Sequence, residues 1–137
     1  MTQPDAPTPP PPPSRRPVLV VMSDLLFRSK IDEVARRLGL PLRAARSAEQ
    51  LERHLAATEP CIVFVDLETD ALDPAAAIRR IRERAAEWGG APRIVGFAGH
   101  TNVAAIQAGR EAGATVVLAR SAVAAQLPEM LGRVVAG

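Results

Sequence analysis

The chain has 137 residues and a mass of 14.6 kDa, the size of one ordinary domain, which argues against a two-lobed enzyme with an interdomain cleft. With 47% hydrophobic and 23% charged residues it reads as globular and long enough to bury a core, while a single cysteine, Cys61, excludes an internal disulfide framework or a multi-cysteine zinc site. Seventeen basic against 15 acidic residues give a net charge of +2, and 16 of those basic residues are arginine, so the pI near 9.5 reflects arginine usage rather than a polyanion-binding surface.

Eight of the 13 prolines lie in the first 17 residues, where PTPPPPPSRRP shows no apolar periodicity. Residues 1–16 are therefore expected to be a disordered or polyproline II tail, with the domain occupying residues 17–137. The start, Met1 to Pro13, lacks the basic and apolar regions of a targeting signal, and no apolar run approaches the roughly 18 residues of a membrane span. The expectation is a cytoplasmic protein with no membrane partner.

Beyond the tail the apolar period switches repeatedly. Val18 to Met22 is a continuous apolar run, the pattern of a strand covered on both faces. Ser23 and Asp24 are candidate caps for a helix carrying Phe27, Ile31, Val34 and Leu38 at helical spacing, which Gly39 stops. Leu42 to Arg46 predicts a short second strand. Ser47 with Gln50 forms a capping box for a helix bearing Leu51 and Leu55, on which His54 is expected to be exposed.

Cys61 to Val65 predicts the third strand, with Cys61 a small unreactive core residue and Asp66 delivered at the carboxyl end. Asp73 and Pro74 look like the N-cap and first residue of a helix whose stripe is Ile78, Ile81, Ala85 and Trp88. Its arginines 79, 80, 82 and 84 are broken by Glu83 and Glu87 and unaccompanied by aromatics, so they read as a solvated face rather than a nucleic-acid site.

Arg93 to Phe97 predicts the fourth strand, Ala98 to Thr101 a loop, and Asn102 the cap of a helix through Val103 and Ile106 ending at Gly113. Thr115 to Ala119 is the fifth strand. A last helix from Ser121 or Ala122 carries Val123, Leu127, Leu131 and Val134, with Pro128 tolerable only in its first turns or as a kink.

Five strands alternating with five helices through short links demand parallel strands and right-handed crossovers. The expected fold is an α/β sandwich: a five-stranded parallel sheet in the order 2-1-3-4-5, doubly wound by helices on both faces. That order places a site at the carboxyl ends of strands one and three. Asp24, Asp66, Ala98 to His100 and Arg120 would gather there.

VLVVMSD, CIVFVDLE and AGATVVLAR give the region from Pro17 to Gly137 a resemblance to the receiver domain of two-component response regulators, itself a flavodoxin-like arrangement. The resemblance implies a phosphoacceptor at Asp66, an acidic pair after strand one holding magnesium, a hydroxyl residue after strand four and a lysine after strand five, all serving charge neutralisation in phosphoryl transfer. The acidic pair falls on Met22 and Ser23 or on Ser23 and Asp24, leaving at most one carboxylate, so magnesium held by Asp24 and Asp66 is weak at best and no other cofactor is expected. Phe97 stands at the hydroxyl position, with Thr101 further along the loop, and Arg120 stands at the lysine position, where its fork can contact Asp66 bidentately.

His100 lacks a second histidine or a cysteine and reads as a solvent-facing residue at the pocket's edge. No glycine-rich phosphate loop and no nucleophile elbow occurs, so the chain is not expected to be an enzyme. The reading is a stand-alone, degenerate receiver-like module, without room for a DNA-binding unit after the fifth helix, acting by contact with a protein partner such as a histidine kinase or signalling complex; a homodimer is left open. The rival readings are a working phosphoacceptor using Asp66 and a small-ligand-binding flavodoxin-like domain.

Overall fold

The structure, a computed structural model, describes residues 16–136. The element order is β1 (Val18–Val21), α1 (Leu25–Arg37), β2 (Leu42–Ala45), α2 (Ala48–Ala57), β3 (Ile62–Asp66), α3 (Pro74–Ala85), a 3₁₀ turn (Ala86–Trp88), β4 (Arg93–Ala98), α4 (Val103–Ala112), β5 (Val116–Ala119) and α5 (Arg120–Ala136). All four strand pairings are parallel and the sheet runs β2-β1-β3-β4-β5, the order expected from strict alternation.

The continuous apolar runs of β1 and β3 are explained by two separate cores. Val18, Val20, Ile62 and Phe64 pack with Phe27, Ile31, Val123, Leu127 and Leu131 on the α1 and α5 face. Leu19, Val21, Val63 and Val65 pack with Leu51, Leu55, Ile78 and Ile81 on the α2 and α3 face. Because successive strand side chains point to opposite faces, a strand covered on both sides must be apolar at every position. Val20 pairs with Phe64 at the centre of the sheet, and both are fully buried.

Local chemistry sets the boundaries. Asp24 accepts the Phe27 N–H, Ser47 the Gln50 N–H, Asp73 the Ala75 and Ala76 N–H groups, and Asn102 the Ala105 N–H, so four helices start on side-chain caps. Gly39, Gly89 and Gly113 take positive φ where α1, the 3₁₀ turn and α4 end.

Several expectations are corrected. Ala98 belongs to β4, because it pairs with Ala119. Thr115 is not in β5: its hydroxyl accepts the Ile94 N–H and its own N–H reaches the Ile94 carbonyl, closing the strand's entry. The last helix begins at Arg120, directly after β5. Pro128 lies well inside α5 with its ring on the exposed face, while Leu127, Met130 and Leu131 hold the helix to the core. Trp88 falls in the 3₁₀ turn and only half-buries.

His54 is half-buried, its Nε2 2.9 Å from the Ala44 carbonyl. Cys61 precedes β3 rather than beginning it and is half-buried against the α1/α5 core, where burial pushes its thiol up to about 11. The arginines of α3 are not simply solvated: Arg80 forks onto Glu52 of α2, Arg82 reaches the Gly113 carbonyl and Arg84 donates to the Leu55 carbonyl. They tie α3 to its neighbours, a use that helical charge patterning does not reveal. The proline-rich residues 1–15 lie outside the described residues, but Arg16, placed in the tail by composition, forms an ion pair with Glu59.

Candidate functional site

At the carboxyl ends of the strands, the β1–α1, β3–α3 and β4–α4 loops meet the first residue of α5. The parallel register puts Asp66 opposite Phe97 across the β3–β4 pair. Asp66 ends an otherwise apolar strand and is 5% exposed, the one polar or charged residue buried among the described residues. A carboxylate in that position needs donors, since an unpaired buried charge is costly. It has two: the Glu68 N–H at 2.9 Å and Arg120 Nη2 at 3.0 Å, both to Oδ1.

Arg120 is the centre of the arrangement. Its Nη1 lies 3.5 Å from Asp24 Oδ2, and its Nη2 is shared between Asp66 Oδ1 and Glu68 Oε1, the latter at 3.4 Å. The contact with Asp66 is therefore single, not bidentate: the fork is divided among three carboxylates, one on the β1–α1 loop, one at the end of β3 and one on the β3–α3 loop. Below it, the guanidinium carbon sits 4.9 Å from the Phe97 ring centroid and 5.3 Å from that of Phe27, and the two rings pack 4.8 Å apart. A planar cation stacked on aromatic faces and ringed by carboxylates is a geometry that arginine supports and lysine does not.

The sequence-derived candidates divide between those that meet Arg120 and those that do not. Asp24 serves two roles at once, capping α1 through Oδ1 and facing Arg120 through Oδ2. Met22 is buried in the core, so the acidic-pair position that faces the site is the one containing Asp24, with Ser23 hydrogen-bonded at 3.2 Å to Thr69. Phe97 is fully buried as the floor beneath Arg120. His100 is exposed on the β4–α4 loop and takes no part in the site's hydrogen bonds or ion pairs among the described residues. Thr101 is likewise exposed.

Two contributors were not singled out from the sequence. Glu68 accepts the Gly99 N–H at 2.9 Å on Oε1 and Asn102 Nδ2 at 2.8 Å on Oε2. Hydrogen bonds from Asn102 and then Gly99, with a lesser contribution from Arg120, hold its carboxyl below the usual glutamate value against the opposing effect of burial. Phe27, read only as a core residue, is the second aromatic wall. The available signal for Glu68 was its place two residues beyond Asp66, in a loop at the same end of the sheet. A groove of about 510 Å³, lined by residues including Arg16, Cys61, Trp88 and Arg133, opens at the opposite, amino end of the strands and shares no residue with this site.

No protein-family model matches the sequence. Among curated proteins the chain is similar to the transcriptional activator protein ExaE of Pseudomonas putida, 29% identical over 99 residues, which is 72% of this chain and 44% of that protein. The chain thus spans less than half the length of that relative. In three dimensions it is similar to the receiver domain of NtrX from Brucella abortus, with a TM-score of 0.71 at 21% identity over 87% of this chain and 98% of that one. The signal receiver domain of an HD domain-containing protein from Pseudomonas fluorescens gives 0.71 at 19% identity, covering 96% and 93% of the two chains. The chemotaxis response regulator CheY4 of Vibrio cholerae gives 0.70 at 18%, covering 87% and 98%. With its strand order, its five helices and these neighbours, the chain carries the flavodoxin-like receiver fold of response regulators.

Proposed function

We propose that this chain is a degenerate receiver-like signalling module, not an enzyme, which acts by contact with another protein and is phosphorylated weakly or not at all. The observation that carries the reading is the position of Arg120, whose guanidinium already neutralises Asp66 and Asp24 while resting on Phe27 and Phe97. Phosphoryl transfer to a receiver aspartate depends on positioned positive charge around the incoming group. Here that charge is committed to the unmodified carboxylate. Phe97, in the place where the receiver resemblance implies a hydroxyl, has no oxygen or proton to offer a phosphoryl group and is packed in the core.

The residues are a poor fit to magnesium. That ion demands near-octahedral oxygen ligation and is commonly anchored by one or two carboxylates. Asp24 spends Oδ1 on the α1 cap, and its Oδ2 and Asp66 Oδ1 both face a guanidinium, which brings no ligand and repels a cation. The partner is a protein such as a histidine kinase or a component of a signalling complex in the cytoplasm, met in one standing conformation. Among the described residues no helix is long and apolar enough to cross a membrane.

The test is treatment with acetyl phosphate and magnesium, read by intact mass and by amide shifts at Asp66, alongside titration with beryllofluoride. The expected result is no alkali-labile mass increase and no saturable shift at low millimolar magnesium. Stoichiometric phosphorylation of Asp66 would establish the rival, a working phosphoacceptor.

A further inference from the structure

Glu68 stands out because its carboxylate joins three separate parts of the chain. Carried on the loop after β3, it accepts the Gly99 N–H and the Asn102 side-chain amide from the β4–α4 loop and meets Arg120 Nη2 at the start of α5. Three donors of three kinds, a backbone N–H, a neutral amide and a guanidinium, converge on one anionic group. Such a donor set suits any small oxyanion, and charge-assisted hydrogen bonds of this sort are the stronger kind. Asn102 is fixed for the task, since its Oδ1 accepts the Ala105 N–H as cap of α4 and thereby turns its Nδ2 outward to Glu68.

We infer that Glu68 is a built-in anion: its carboxylate occupies an oxyanion site made by Gly99, Asn102 and Arg120, tying the β3–α3 and β4–α4 loops to α5 and keeping small free oxyanions out. The inference goes beyond the proposed function, because competition between Glu68 and a free oxyanion holds whether or not Asp66 accepts a phosphoryl group. It also gives the single conformation a physical cause. The donors that an incoming anion would have to recruit are already engaged by a tethered carboxylate, which competes at the high effective concentration of an intramolecular group.

The experiment is a titration of the ¹⁵N-labelled full chain with inorganic phosphate at constant ionic strength, following the Gly99 amide and the Asn102 side-chain amide in the wild type, Glu68→Ala and the double variant Glu68→Ala/Arg120→Ala. Glu68→Ala is expected to saturate at both probes with an affinity at least about tenfold above the wild type, and the double variant is expected to lose that saturation. The idea is overturned if the wild type binds phosphate as tightly as Glu68→Ala, if Glu68→Ala shows no saturation, or if its shifts map away from Gly99 and Asn102. Should Glu68→Ala not fold, Glu68→Gln takes its place with the same ordering required. Phosphate binding in this titration is reversible and leaves the mass unchanged, so its outcome is separable from covalent phosphorylation of Asp66.

Discussion

Replacement of Arg120 by alanine leaves Asp66 as a carboxylate of 5% exposure with one backbone N–H for company. Removing one partner of a fully buried ion pair costs about 3–5 kcal/mol. Arg120 is itself 31% exposed and its contacts to Asp24 and Glu68 are more open still, so solvent screening lowers the electrostatic part to about 2 kcal/mol. Loss of the cation from the faces of Phe27 and Phe97 adds about 0.5–1 kcal/mol. The variant should therefore be less stable by about 2–3 kcal/mol, a drop in melting temperature of about 6–15 °C for a domain of this size. Urea unfolding at pH 7, followed by circular dichroism, measures the loss at unchanged m-value. A double-mutant cycle with Asp66→Asn isolates the cause: a neutral amide needs no counter-charge, so in the Arg120→Ala background it should restore about 1–2 kcal/mol. If the two substitutions add within about 0.5 kcal/mol, Arg120 does not neutralise Asp66 and the account of the site fails.

Acid should loosen the site through Glu68. Its folded-state carboxyl lies below the ordinary 4.5, so the stability it contributes is present above that value and is lost as pH falls through the lower folded one. Glu68→Gln should flatten this acid limb in unfolding measured from pH 5 downward, and an unchanged slope would count against the Glu68 contacts. Glu52, lowered chiefly by its hydrogen bond from Arg80, adds in the same sense but weakly, as the pair is exposed. Gly109→Ala should destabilise by about 1 kcal/mol although alanine is the better helix former, because its Cβ would stand 2.7 Å from Leu67 Cδ1; Leu67→Ala in the same chain should relieve the clash. Gly113→Ala should cost more than Gly39→Ala in thermal melts: Gly39 at φ +73° meets nothing, whereas Gly113 at φ +107° lies further from any conformation an L-residue accepts and its Cβ would meet Arg82.

The fold was legible in the sequence because its signals are local and repeated. The uninterrupted apolar runs at Val18 to Val21 and Ile62 to Val65 announce strands buried on both faces, and Ser47, Asp73 and Asn102 announce helix starts within a few residues. Parallel pairing then follows from chain connectivity, with no knowledge of contacts. The positions of Asp24, Asp66, Phe97 and Arg120 at one end of the sheet follow in turn, since strand ends are fixed by topology.

What tertiary structure alone decided is how those side chains divide their partners. A sequence can place Arg120 near Asp66, but whether its fork grips one carboxylate or is split among Asp24, Asp66 and Glu68 depends on loop conformation and on the aromatic floor set by Phe27, 70 residues from Phe97 in the chain. Glu68 gave no periodic or compositional signal, because a loop glutamate reads as a solvated charge until the β4–α4 loop brings Gly99 and Asn102 to it. The α3 arginines were likewise hidden, their targets being carbonyls and carboxylates on other elements. Patterning registers which face of an element is apolar; it carries no record of which polar group on a distant loop will arrive opposite a given charge, and that arrival is what makes this site.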